Sequence, residues 1–169
     1  MRCFLAVALP EEIKEILRGL QEELRPVGTG VRWVRPEGFH LTLKFFGEIP
    51  EGKLPALVRA AEKAARDFEP FELTLSEIGF FPERGAPRVI WVGLSGEIKT
   101  LTELHRRLEK AFKKTGFPPE RRPFHPHLTL ARVKDPRQGE KLRRRAAELH
   151  VPHETFRVEG LTFYRSRLH

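Results

Sequence analysis

The sequence predicts an α+β fold: two lobes related by a pseudo-twofold axis, each an antiparallel sheet with helices on its outer face, with an active-site cleft between them. Three observations carry this. Segments of strand and helix periodicity follow the order β-α-β-β-α-β and then β-α-β-β. The phrase His-Leu-Thr-Leu occurs at 40–43 and again at 127–130, once in each half of the 169-residue chain. No segment reads as a linker between independent domains, so residues 1–169 are expected to form a single two-lobed domain.

Residues 2–9 (RCFLAVAL) are apolar on both faces, as a central strand would be. Glu11 and Glu12 follow Pro10 and place negative charge in the first turn of a helix. Ile13, Ile16, Leu17, Leu20 and Leu24 then keep helical spacing until Pro26 and Gly28-Thr29-Gly30 end it. A short strand over 31–34 and the turn Arg35-Pro36-Glu37-Gly38 lead to the first motif strand, 40–46. Leu54, Leu57, Val58, Ala61, Ala65 and Phe68 predict a second helix over about 51–68. Residues 71–78 read as a strand closed by Gly79-Phe80-Phe81-Pro82, and 89–94 as its hairpin partner. Leu101, Leu104, Leu108 and Phe112 mark a third helix ending near Gly116. Pro118, Pro119 and Pro123 hold an irregular approach to the second motif strand, 127–133. A basic helix over 138–149 and one or two strands within 154–166 finish the chain.

Composition narrows the function classes. The chain is 40% apolar and 32% charged, and no apolar run approaches the length of a membrane span. The opening MRCFLAVALPEE turns acidic too soon for a signal peptide, and the lone Cys3 lies in an apolar strand pattern with no disulfide partner. A monomer in a reducing cytoplasm, with no membrane association, is the expectation. The net charge of +8 favours a polyanionic partner, nucleic acid first among them.

The repeated phrase carries the chemistry. Side chains on a strand alternate faces, so His40 and Thr42 share one face and Leu41 and Leu43 the other, as do His127 and Thr129 against Leu128 and Leu130. Two opposed imidazoles supply one base and one acid near neutral pH, and two threonine hydroxyls can donate to the non-bridging oxygens of a phosphate between them. A 2′,3′-cyclic phosphate suits this equipment, with no cofactor. A metal site is the competing reading, because His125-Pro126-His127 has ligand spacing, but no carboxylate or cysteine lies beside either motif and the expected site holds no metal. His125 is read as a neighbour or orienting group of His127 and as a candidate substrate contact, and His105, among the leucines of the third helix, as structural or a surface group. His150, His153 and His169 belong to no motif.

The paired His-x-Thr phrases resemble the signature of the 2H phosphoesterase superfamily. The match is closest to its RNA 2′,3′-cyclic phosphodiesterases, also called 2′-5′ RNA ligases. It extends over RCFLAVALP, VRWVRPEGFHLTLKFFGE, GFFPERGAPRVIWVGL and FHPHLTLAR. The resemblance implies hydrolysis of terminal 2′,3′-cyclic phosphates to 2′-phosphates and a reversible, ATP-independent joining of RNA ends through a 2′-5′ link. It implies His40 as proton donor, His127 as proton acceptor, and Arg132 as a phosphate contact. RNA with a cyclic phosphate end, tRNA fragments among them, is the expected partner. Trp33, Phe45 and Phe80 are candidate base-stacking aromatics, with Arg35, Lys44, Arg84 and Arg88 near them in sequence. Two other readings stand beside this one: an RNA-binding module without turnover, and a 2H enzyme of small cyclic nucleotides or 2′-5′ oligonucleotides.

Overall fold

In the computed structural model, residues 1–166 are described, so His169 lies outside them. The order of elements is β1 (Arg2–Ala8), α1 (Glu11–Leu24), β2 (Val31–Trp33), β3 (His40–Glu48), α2 (Leu54–Ala65), β4 (Phe71–Phe81), β5 (Val89–Gly96), α3 (Ile98–Lys114), β6 (His127–Val133), α4 (Gly139–Glu148), β7 (Thr155–Val158) and β8 (Thr162–Ser166). The first six elements follow the expected order; in the second part the basic helix α4 stands between β6 and β7, so the order there is β-α-β-α-β-β and not β-α-β-β. A further expectation fails: Gly79-Phe80-Phe81 does not close the strand after Ile78. These residues pair in register with Trp91, Ile90 and Val89 and carry β4 on to Phe81. Gly79 is required there because the Trp91 ring fills the space where a Cβ would stand.

The strands form two antiparallel sheets, β3-β1-β8 and β2-β6-β5-β4-β7. The lobes are therefore not the two halves of the sequence. Strands β2 and β4 come from the first half but belong to the larger sheet, while β8 closes the chain by pairing with β1. The helices cross over as well. Helix α3 packs on the smaller sheet, where Phe112 meets Phe46 edge-on at 4.9 Å between ring centroids, and α2 lies beside α3. Helix α1 packs on the larger sheet, where the buried Gln21 donates to the carbonyls of Val34 (2.8 Å) and Leu130 (2.9 Å). Helix α4 joins it through Arg145, which pairs with Glu23. A hydrophobic stripe on each helix and one face of each sheet drive this layering. The leucines of both motifs, Leu41, Leu43, Leu128 and Leu130, lie in one continuous buried cluster together with Ile13, Leu17, Leu57, Leu104 and Phe112.

Candidate active site

The two motif strands, β3 and β6, approach each other where the sheets meet. On both, the leucines are buried while His40, Thr42, His127 and Thr129 stay half-buried on the opposite, cleft face. Both strands also carry the same irregularity. In β3, Thr42 faces Ala6 and Lys44 faces Leu5, so Leu43 has no partner on β1. In β6, Thr129 faces Trp91 and Ala131 faces Ile90, so Leu130 has none on β5. A bulge of this kind inserts one residue and reverses the parity of everything after it. Lys44 and Ala131 therefore turn toward the helices, and Phe45 and Arg132, each three residues past the threonine, return to the cleft face. The carbonyl of Leu130 accepts from the Val34 amide and from Gln21, which pins the bulge on β6 to α1.

Each imidazole sits among aromatic rings. His40 lies 4.2 Å from Tyr164 and 5.6 Å from Phe4, measured between centroids. His127 lies 5.1 Å edge-on to Phe81 and 6.2 Å from Trp91. The Nδ1–H of His127 donates to the carbonyl of His125 at 2.6 Å. Because a carbonyl can only accept, this bond places the proton of the neutral ring on Nδ1 and leaves the Nε2 lone pair free. Burial pushes both imidazoles below their ordinary titration range. The Lys14 ammonium adds to this at His40. At His127 the bond to the His125 carbonyl opposes it, while the charges of His125 and Arg132 reinforce it.

The remaining candidates divide. Phe45 is 63% exposed on the cleft face beside Phe4, where a base could stack. Arg132 is exposed on the same face as Thr129. His125 acts on His127 through its backbone carbonyl, and its ring stands edge-on to Trp91 at 4.8 Å. Trp33 does not join them. It pairs with Ala131 on the helix-facing side, with Arg25 over its ring at 5.1 Å, so RNA stacking on it is not supported. Phe80 is likewise turned toward α4, under Arg143. Lys44 is buried against Glu109 of α3 at 2.6 Å, which removes it from the RNA-contact candidates. Arg35, Arg84 and Arg88 are exposed in turns and loops. His105 stacks on Phe124 at 3.9 Å. The sequence reading missed Phe4, Tyr164, Phe81 and Trp91. Strand parity carries no signal for them, because they reach the site through pairing between distant segments: Phe4 faces both Phe45 and Tyr164 across the ladder and Trp91 faces Thr129. Among the described residues no group of three His, Cys, Asp or Glu side chains gathers as a metal site, and no helix is long and apolar enough to cross a membrane.

Fold and site together define a two-sheet α+β protein in which two equivalent His-x-Thr strands meet at one cleft. The particular family follows: the chain belongs to the 2′-5′ RNA ligase superfamily, whose family model matches residues 9–169. It is 39% identical to the RNA 2′,3′-cyclic phosphodiesterase of Methanothermobacter thermautotrophicus, over 99% of this chain and 91% of that one. Among solved structures, a Thermus thermophilus protein superimposes with a TM-score of 0.81 at 35% identity, covering 100% of this chain and 90% of that one. The Escherichia coli LigT complex with 3′-AMP gives 0.74 at 29% identity, covering 99% and 89%.

Proposed function

We propose that this chain is an RNA 2′,3′-cyclic phosphodiesterase that converts terminal cyclic phosphates to 2′-phosphates by metal-independent acid–base catalysis. One observation carries the reading: two half-buried imidazoles, each beside a threonine on its own bulged strand, on two adjoining strands. The names of the relatives support the same substrate class. His127, with Nδ1–H engaged, takes a proton from water at Nε2. The water oxygen attacks phosphorus in line with O3′, the P–O3′ bond breaks, and His40 in its protonated form gives O3′ its proton. Thr42 and Thr129 donate to the non-bridging oxygens, and Arg132 balances their charge. A 5′-hydroxyl in place of water breaks the same bond and forms a 2′-5′ link, with no ATP required. We read the partner as RNA with cyclic ends, tRNA fragments included, met by a monomer; the buried thiol of Cys3 fits a reducing cytoplasm.

The direct test incubates the protein with a nucleoside 2′,3′-cyclic phosphate, a cyclic-phosphate-ended RNA and a 2′-5′ oligonucleotide, all in EDTA. A 2′-phosphate product from the cyclic substrates is expected. Binding without turnover would leave an RNA-binding module, and activity restored only by zinc or manganese would make His125 and His127 a ligand pair.

The pH dependence follows from the imidazoles. Turnover needs one neutral and one protonated ring, so kcat/KM should be bell-shaped. Both rings titrate below their ordinary value in the free protein, so the singly protonated form peaks on the acid side of that value. A bound anionic phosphate favours the protonated ring, so the kcat profile should lie at higher pH than that of kcat/KM. Coincident profiles, or a kcat/KM maximum on the alkaline side, would contradict this arrangement.

A further inference from the structure

Arg32 of β2 stands directly opposite Arg132 of β6 in the antiparallel ladder. Opposed residues in such a pair have Cα atoms roughly 4.5–5.5 Å apart and project from the same face of the sheet. Like charges so placed repel and cost stability. Both side chains are exposed, and neither meets a carboxylate among the described residues. Exposed arginines such as Arg35, Arg84 and Arg88 also lack an acidic partner among the described residues; what sets Arg32 and Arg132 apart is that the ladder holds them face to face. The paired cations are also held by backbone. The β6 bulge puts Arg132 on the cleft face, and the ladder puts Arg32 beside it, one strand farther from Trp91 and Thr129. The equivalent position on β3 carries Phe45, so the cleft is aromatic past one motif and doubly cationic past the other.

We propose that Arg32 forms a second phosphate subsite that holds the phosphodiester joining the terminal nucleotide to the rest of the RNA, with Arg132 lying between it and the reacting phosphate and shared by both. This deepens the proposed function and rests on it. A bound phosphate relieves the repulsion and accepts charge-assisted hydrogen bonds from two planar forks, which Arg suits better than Lys. The subsite distinguishes an RNA end from a free cyclic nucleotide: a nucleoside 2′,3′-cyclic phosphate has one phosphate, and an RNA end presents a second on the 5′ side of the same ribose.

The test compares kcat/KM for a nucleoside 2′,3′-cyclic phosphate with that for the same nucleoside also carrying a 5′-phosphate, in the unaltered protein and in Arg32→Ala, Arg32→Lys and Arg32→Gln. The unaltered protein should prefer the 5′-phosphorylated substrate. Arg32→Ala and Arg32→Gln should lower that preference about tenfold, the expected loss of one charge-assisted contact, mainly through KM, with Arg32→Lys between. An unchanged preference in Arg32→Ala, or equal losses on both substrates, would overturn the subsite while leaving the cyclic phosphodiesterase reading intact. Hydrolysis of neither substrate by the unaltered protein would remove that reading and the subsite with it. Circular dichroism and thermal melts separate misfolding from lost binding, and Arg32→Gln keeps a polar side chain on the strand if Arg32→Ala proves unstable.

Discussion

Replacing His40 or His127 by alanine should lower kcat by at least about 10²-fold, since a positioned acid or base contributes about 10²–10⁴. In the proposed mechanism the two side chains act as one acid–base pair, so the double variant should lose less than the product of the single losses. Neither substitution should unfold the protein, because both rings are half-buried on the cleft face and the leucines beside them carry the packing. The two variants should also differ in pH dependence. Removing His127 deletes the acidic limb, which reports the ring that must be neutral, and removing His40 deletes the basic limb. Steady-state kinetics across pH on both variants, with circular dichroism as a control, checks this. Full turnover in either variant would exclude that histidine from the chemistry, and exchanged limbs would exchange the acid and the base.

Glu109→Leu should destabilise the protein by about 3–5 kcal/mol, the usual cost of leaving a buried charge without its partner. The Lys44 side chain is 5% exposed and its Nζ lies 2.6 Å from Glu109 Oε1. This is a charge contact; the aligned hydrogen bond of Lys44 goes to the Pro118 carbonyl at 3.0 Å. Glu109 Oε2 accepts from the Glu120 amide, so the pair ties β3 and α3 to the irregular segment that leads into β6. Lys44 is in the core because of the bulge at Leu43, and the same bulge delivers Phe45 to the cleft. The double variant Glu109→Leu with Lys44→Met should recover most of the lost stability, since well-packed apolar residues often replace a buried ion pair without penalty. Denaturant melts of the two variants test this. A loss below about 1 kcal/mol for Glu109→Leu would mean that water reaches Lys44.

The chain by itself determined most of the order of its elements, the duplicated His-x-Thr strands, the leucines beneath them and the chemistry of a two-histidine site. All of these depend on local periodicity and residue type. Strand parity alone separates His40 and Thr42 from Leu41 and Leu43, because a half-buried strand keeps one face for the core. The tertiary structure decided what lies beyond the threonines. Simple alternation would send Lys44 to the cleft and Arg132 to the core. Bulges at Leu43 and Leu130 reverse both, and a bulge is set by the neighbouring strand and by contacts such as Gln21 to the Leu130 carbonyl, which join residues 109 positions apart in sequence. The assignment of strands to sheets was hidden for the same reason. Trp33 stands next to basic residues in the sequence, but β2 pairs with β6 and turns that ring toward the helices. Phe4, Tyr164, Phe81 and Trp91 surround the histidines only because β1, β8, β4 and β5 are stacked beside the motif strands by pairings between distant segments. Periodicity tells which face of a strand is apolar; the hydrogen-bonded ladder between strands decides which side chains become neighbours.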